Sequence, residues 1–384
     1  MTRQEKRAGT VASGARVLVS GASFAGLATG WWLARLGYRV TIVEIAPGLR
    51  KGGTPVDIKP GAIEGLRRMG LLEAVRARSL PPRRIEVRNG DGTVAFAFPP
   101  RPFVPDGPDE QYEIDRDMLL DVLFEAVAPD VEIRFGRSIA QLEEVEGGVS
   151  VRFEDGERQV FALVFGCDGM RSRTRRLVFG EGDTGLYFLK KYGFLKVVPG
   201  RIIEPDVTQI YTVKGRSVMV NGYSDKTDIG FGFHAEEELE YDYRDKARKR
   251  RLVIERFERM GGRTAELLDM IGSDDDFYFD KICQVRLSAW SRGRVVLVGD
   301  AGYCLSPFAG MGGSMAIMGA VALHDAFRRH GSDFMAAFRE YEATLRPFVE
   351  KEQEHAADFG RVMFAPESDE VLEERDRRLR EMRR

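Results

Sequence analysis

The chain has 384 residues, 43% hydrophobic and 31% charged, a balance that suits a globular protein of two or three domains and excludes a disordered or fibrous one. Lysine and arginine (58) nearly cancel aspartate and glutamate (60), for a formal net charge of −2, so the charge gives no case for a nucleic-acid or membrane partner. Three cysteines (Cys167, Cys283, Cys304) and four scattered histidines (His234, His324, His330, His355) lack metal-ligand spacing, which predicts no metal site, no disulfide scaffold and a cytoplasmic location.

Residues 1–15 are polar and carry no secretory pattern. The first apolar run, Val17-Leu18-Val19, predicts a buried parallel strand over Arg16–Ser20. A glycine turn follows, Gly21-Ala22-Ser23-Phe24-Ala25-Gly26, and then a helix ending at Gly37. A second strand over residues 39–43 leads into Glu44. This is the order of a βαβ dinucleotide-binding unit. Gly21 permits the turn, Gly26 permits close packing of helix on sheet, and free N–H groups near Ser23 to Gly26 face a pyrophosphate. Ser23 stands where a middle glycine is usual, so its hydroxyl is a candidate phosphate donor. Glu44 lies 23 positions after Gly21, near the usual spacing of ~20 for a ribose-binding acid. Its carboxylate would repel a 2′-phosphate. Trp31-Trp32 sits in too short an apolar stretch to span a bilayer.

Glycine and proline mark a loop over residues 52–61, followed by a short amphipathic helix over 62–69. Residues 85–88 and 94–98 read as a hairpin around Asn89-Gly90-Asp91-Gly92, and 99–108 as a proline-rich loop. Asp115 is an expected N-cap for a helix over 116–127. Strands are expected at 131–135, 149–153, 159–161 and 162–165, ending at Gly166-Cys167-Asp168-Gly169. Between 186 and 286 the strands alternate and turn aromatic (186–197, 208–213, 217–220, 228–233, 277–287), which predicts a mixed or antiparallel sheet. Helices are expected at 243–260 and 265–270. The opening pattern then recurs. A strand over 294–298 meets Gly299-Asp300, a loop holds Pro307, Gly310, Met311, Gly312 and Gly313, and a helix runs over 314–329. A further helix is expected over 333–364, with a kink at Pro347, then a charged tail from 367. The expected division places nucleotide binding in 1–80, 113–184 and 287–332, a substrate domain in 81–112 and 185–286, and C-terminal helices in 333–384.

Three segments in order carry a resemblance. They are the βαβ opening, Cys167-Asp168-Gly169-Met170-Arg171-Ser172-Arg173-Thr174-Arg175, and Gly293 to Ala301 running on through Pro307-Phe308-Ala309-Gly310-Met311-Gly312. Together they resemble the class A flavoprotein monooxygenases, the para-hydroxybenzoate hydroxylase fold. The stretch 52–72 and Pro307-Phe308-Ala309-Gly310 are similar to the tetracycline-inactivating and antibiotic-tailoring hydroxylases. The resemblance implies an α/β fold, a Rossmann-like FAD-binding domain with an inserted mixed or antiparallel sheet and C-terminal helices.

It also implies FAD as cofactor and NADPH or NADH as a transient co-substrate in a surface groove. Asp300 is expected at the ribityl chain and residues 307–313 at the flavin ring. Arg116 is expected to reach the FAD, with Arg50 or Lys51 near phosphates or the nicotinamide nucleotide. Asp168 is expected to help hold both nucleotides, with Arg175 bracing its loop. Two departures stand out: Tyr303 where a histidine is common, and Ser314 where an asparagine is. The implied chemistry is reduction of FAD, addition of O2 at flavin C4a, and oxygen transfer from the hydroperoxide to an aromatic or polyketide-like small molecule. His234, Tyr211 and Tyr223 are candidate catalytic groups for activating a phenol or enol. Baeyer–Villiger oxygenation, epoxidation and flavin binding without turnover are the alternative readings. The chain is expected to act as a monomer or homodimer.

Overall fold

The computed structural model describes residues 11–100, 110–180, 185–272 and 275–382. The elements in chain order are β1 (Arg16–Ser20), α1 (Phe24–Arg35), β2 (Arg39–Glu44), β3 (Val56–Ile58), α2 (Pro60–Met69), β4 (Arg84–Arg88), β5 (Val94–Phe98), β6 (Tyr112–Ile114) and α3 (Arg116–Val127). Next come β7 (Glu132–Phe135), β8 (Ile139–Val145), β9 (Gly148–Phe153), β10 (Arg158–Phe161), β11 (Leu163–Gly166), α4 (Arg173–Phe179), β12 (Leu186–Pro199), β13 (Val207–Val213), β14 (Arg216–Gly222) and β15 (Lys226–His234). The chain closes with α5 (Lys246–Phe257), α6 (Thr264–Asp269), β16 (Tyr278–Val285), β17 (Ser291–Arg292), β18 (Val295–Leu297), α7 (Gly312–His330), α8 (Phe334–Met363) and α9 (Asp369–Met382).

Two compact units form. The first combines Met1–Leu80, Asp106–Tyr187 and Gln284–Gln353. Its six-stranded sheet has the order β17-β18-β11-β1-β2-β7. Pairing is parallel throughout, apart from the short edge strand β17. Strand β1 is nearly continuous apolar sequence, as a strand covered on both faces must be. Helix α1 buries nearly its whole surface, and α7 supplies buried Met315, Ile317, Ala320 and Leu323 to the same core. A three-stranded sheet, β10-β9-β8, joins this unit.

The second unit combines Pro81–Pro105, Phe188–Cys283 and Glu354–Arg384. A seven-stranded sheet, β16-β12-β15-β14-β13-β4-β5, forms its frame. The hairpin β4–β5 therefore joins the aromatic middle strands, through parallel pairing of β4 with β13. One face of the sheet carries Tyr192, Phe194, Phe231 and Phe233, packed on Leu252 and Phe257 of α5 and Leu267 of α6.

Most expected elements appear within a few residues of their sequence positions. Strand β8 and helix α4 add to them. Helix α8 includes Pro347 within one element, as the single helix expected over 333–364 requires. From residue 101 to 109, the proline-rich stretch lies outside the described residues. Among the described residues no helix is long and apolar enough to cross a membrane.

Candidate functional site: three loops at the sheet edge

Strands β18, β11 and β1 are parallel neighbours, so the loops after them leave the same edge of the sheet. These loops hold Gly299-Asp300, Cys167-Asp168 and Gly21 to Gly26. In open α/β sheets that edge is where ligands bind.

At the first loop, Gly21 adopts φ +106° and its N–H donates to the Val43 carbonyl (2.7 Å). A Cβ on Gly26 would lie 1.8 Å from the Gly21 carbonyl oxygen, so no other residue fits. Ser23 occupies the N-cap of α1, yet its hydroxyl makes no capping bond. The first-turn N–H groups, at Phe24, Ala25 and Gly26, are thus left without a side-chain acceptor at the positive end of the helix. Glu44 is buried. One carboxylate oxygen accepts from Ala22 N–H (2.9 Å) and the other from Ala46 N–H (3.0 Å). It braces the glycine loop and keeps a lone pair on each oxygen for a ribose hydroxyl.

Arg116, at the start of α3, donates to the carbonyls of Arg50 (2.7 Å) and Gly52 (3.1 Å). Its guanidinium stands 5.4 Å from the Phe24 ring centroid. Burial lowers its pKa, Asp117 opposes that, and Arg50 reinforces it; an arginine so placed stays charged. Gly52 N–H donates to the Asp117 carboxylate (2.8 Å). Arg50 is exposed. Lys51 instead pairs with Asp121 (2.8 Å) on the surface. Arg116 and Arg50 stand together at this loop, and Lys51 forms an exposed ion pair with Asp121.

Asp168 is used by its own loop. One oxygen accepts from the Thr174 N–H and hydroxyl, both at 2.9 Å, and the other accepts from the Ser172 hydroxyl. Arg175 is buried and bridges outward, donating to the Ala301 carbonyl (2.8 Å) and the Met170 carbonyl (2.6 Å). One guanidinium thus ties the second loop to the third.

In the third loop, burial raises the Asp300 carboxyl above the usual carboxylate range, against a hydrogen bond from the Cys304 thiol. Ala25 packs against Gly299 and Phe24 against Gly313, so glycine loops from the two ends of the chain meet. Pro307, Gly310 and Gly312 are exposed while Met311 is half-buried. Met311 caps α7 without a side-chain hydrogen bond, and a Cβ on Gly312 would meet no heavy atom within 4 Å. Ser314 is buried. Its hydroxyl donates to the Asp57 carbonyl (2.8 Å) and accepts from Lys59 N–H (2.9 Å). It staples the end of β3 to the first turn of α7. Tyr303 turns inward, hydrogen-bonded to Tyr341 (2.9 Å) with its ring 4.4 Å from that of Trp290. The expected change beside the flavin is therefore a packing residue.

These features fit a dinucleotide with a flat ring: two uncapped helix starts, a Cβ-free approach at Gly26, and an open glycine surface at Gly312. Ser306 gave no signal in the sequence, and Ser314 stood out there only as a departure from asparagine, not as a staple. Ser306 has the unusual backbone φ +82°, ψ 161°, which cannot be read from composition. The Ser314 staple depends on β3, a strand of only three residues.

The candidate catalytic groups belong to the second unit, and the structure does not bring them together. Tyr211 pairs with Val218, which pairs with Phe231, so it lies on the sheet face covered by α5 and α6, hydrogen-bonded with Gln209 (3.0 Å). Tyr223 sits in the turn between β14 and β15, with Arg83 and Lys226 over its ring at 4.7 and 5.3 Å. His234 ends β15 on the opposite face from Phe233, eight residues from Lys226, or roughly 26 Å at ~3.3 Å per residue. Both its ring nitrogens are engaged, with Glu236 (2.9 Å) and Lys191 (3.1 Å). His234 also lines an open cleft of about 540 Å³ with Glu236, Glu237, Glu238, Glu240 and Arg256. That lining is acidic, the wrong character for an apolar ring. Lys191, which the sequence reading passed over, is buried and donates to the Ala365 carbonyl (2.6 Å).

Comparison with known proteins places the chain among relatives. The FAD binding domain family matches residues 14–351. An uncharacterized protein of Mycobacterium tuberculosis is 38% identical over 344 residues, covering 88% of this chain and 91% of that protein. A flavin-dependent monooxygenase of Legionella longbeachae is 30% identical over 370 residues, covering 95% and 94%. The crystal structure of the tetracycline destructase Tet(55) superposes with a TM-score of 0.83 at 31% identity, covering 96% of each chain. With three motif loops gathered at one sheet edge and these relatives along nearly its whole length, the chain belongs to the FAD binding domain family and is a flavin-dependent monooxygenase of class A.

Proposed function

We propose that the protein inserts one atom of O2 into a flat, electron-rich aromatic or polyketide-like molecule, with electrons from NADPH or NADH. The observation that carries this reading is the meeting of the Gly21–Gly26 loop with the 299–313 loop, fixed through Arg175 to the Asp168 loop. Similarity to a tetracycline destructase at 31% identity over 96% of the chain supports the substrate class. Bound FAD supplies the chemistry, accepting electrons from reduced nicotinamide and activating O2.

The chain's own residues do the rest. The first turn of α1 and the Ser23 hydroxyl hold the pyrophosphate, and Glu44 holds the adenosine ribose. Arg116 and Arg50 lie on the phosphate side. Asp300 accepts from the ribityl chain. Residues 307–313 lie against the ring, where the positive end of α7 stabilises negative charge on it. Asp168 and Arg175 set the loop geometry. Lys51, tied to Asp121, takes no part. Among the three catalytic candidates, the contacts of Tyr211 and Tyr223 favour packing. His234 is assigned to the Lys191 pair rather than to substrate.

The test uses FAD-loaded protein, NADPH or NADH, and a panel of aromatic polyketides headed by tetracycline. The expected result is substrate-stimulated nicotinamide oxidation with a product heavier by one oxygen atom. Bound FAD with no stimulated oxidation across the panel would favour a binding role and sink the proposal.

A further inference from the structure

Two glutamines are buried against the loop that follows Asp300. Gln284, near the end of β16, is 0% exposed, and Gln353, on α8, is 5% exposed. Both belong to the first unit. The Gln284 side-chain amide donates to the Leu305 carbonyl (3.1 Å) and to the backbone carbonyl of Gln353 (2.7 Å). The Gln353 amide donates to the carbonyls of Val285 (2.8 Å) and Cys304 (3.1 Å). An amide nitrogen carries two protons, so each glutamine uses both. The orientation of Gln284 is set by chemistry. Its oxygen accepts from two nitrogens of Arg286, at 2.9 and 2.6 Å, and a guanidinium can only donate. The nitrogen end must therefore face the carbonyls.

A buried amide is tolerated only when fully paired, whereas an apolar side chain needs no partner. What this pair holds is two successive peptides, 304–305 and 305–306, just ahead of Pro307. Cys304 is gripped at both ends. Its carbonyl accepts from Gln353 and from the Val285 N–H (3.0 Å), and its thiol donates to the Asp300 carboxyl. Without Gln353 the 304–305 peptide loses one of its two restraints, and the thiol is no longer fixed on Asp300. We infer that Gln284 and Gln353, oriented by Arg286, are positioning residues of the flavin site, which set the Asp300 carboxylate through Cys304 and fix where the 307–313 loop begins. The inference rests on the reading of Asp300 and residues 307–313 as flavin contacts.

Full-length wild type, Q284M, Q353M, R286M, C304A, V349A and the double variant Q353M/C304A are stripped of flavin and titrated with FAD while flavin fluorescence is followed. Thermal midpoints of the stripped proteins are recorded alongside. Methionine keeps much of the length of glutamine and removes both donors. Val349 lies one turn before Gln353 on α8, is buried in the core and has no polar side-chain atom, so V349A loosens the helix without touching the amides. Q284M and Q353M are expected to bind FAD about 10-fold more weakly, and C304A and R286M about fivefold. V349A is expected to stay within about twofold of wild type although its midpoint falls. The double variant is expected to bind no more weakly than the weaker of its two single variants, because both act on Asp300 through one link. Affinities of Q284M and Q353M within about twofold of wild type would overturn the assignment. So would a V349A that weakens binding as much as Q353M, since loosening of α8 would then suffice. A double variant whose loss multiplies the two single losses would overturn the path through Cys304. Arg286 is exposed, so R286M decides the question if the buried variants do not fold: wild-type affinity there overturns the assignment, and weakened affinity with an unchanged midpoint supports it. Failure of wild type itself to take up FAD is a different result, which removes the flavin reading and this inference with it.

Discussion

Asp300 shows how a single residue can serve a ligand at the expense of the empty fold. Asp300 is half-buried, and burial raises its carboxyl above the usual carboxylate range. Between the unfolded value near 4 and the higher folded value, the folded chain binds more protons than the unfolded chain. Stability of the flavin-free protein therefore falls as pH rises through that window, and the full penalty stands above it. D300N removes the charge. The flavin-free variant is expected to be more stable than wild type at pH 7 and equal to it near pH 3, by urea unfolding, while retaining FAD less well. Lys191 is the opposite case. Burial pushes its ammonium down to about 8, with Glu367 and Glu236 opposing and Arg361 and Lys190 reinforcing, and His234 faces it on the next strand. Between pH 8 and 10 the unfolded chain binds the extra proton, so this residue's contribution becomes more favourable as pH rises. The wild type is expected to gain on K191M by on the order of 2–3 kcal/mol across that interval. A stability difference that stays flat with pH would contradict the assignment.

Among the elements, those with a strong local signal were legible. Asp115 caps α3 by accepting from Asp117 N–H (3.1 Å), as a helix-start aspartate should. Gly37 follows α1 at φ +84°, and the hairpin forms around Asn89 and Gly92. Strand β8 was not legible, because two of the seven residues of IAQLEEV are acidic and only Ile139 is fully buried. It is set by pairing with β9, a tertiary fact. The helix expected over 333–364 forms as α8, with Pro347 inside it. The Ser314 staple joins residues 257 apart in sequence, so no window of sequence holds it. Removing it tests an element-scale link. S314A leaves the Asp57 carbonyl and the Lys59 N–H without their partner, which should cost about 1–3 kcal/mol. Because β3 then loosens from α7, FAD retention should fall with stability. A variant that loses stability and keeps wild-type FAD affinity would show that the staple holds the fold alone.

For the whole molecule, the nucleotide-binding half was legible because three motifs carry fixed chemistry at fixed strand ends. The candidate catalytic trio was not, because aromatic residues on a sheet look alike in sequence whichever face they take. Register decides it: Tyr211 shares a row with Val218 and Phe231 under the helices, and His234 shares one with Lys191. The remaining consequence concerns coupling between distant parts of the chain. Residues 21–26, 168–175 and 299–313 are separated by more than a hundred positions, yet Arg175 ties the second stretch to the third, and Ala25 and Phe24 pack the first against the third. A ligand that binds only the assembled site must stabilise the folded chain by mass action, about 2.7 kcal/mol at a concentration 100 times the dissociation constant. The thermal midpoint should therefore rise steadily with added FAD. Arg175 is the residue on which that assembly depends most. Its two donors reach carbonyls in two loops, and a lysine ammonium, a point charge without the planar fork, cannot reproduce that span. R175K should lose about 1–3 kcal/mol through the carbonyl left unpaired and bind FAD roughly tenfold more weakly, about 1.4 kcal/mol. The midpoint-against-FAD curve separates the two effects. A lower starting point alone reports the lost stability, and a shift of the curve to higher FAD reports the loosened site. A curve displaced downward but not sideways would mean that Arg175 supports the sheet edge without organising the flavin loops.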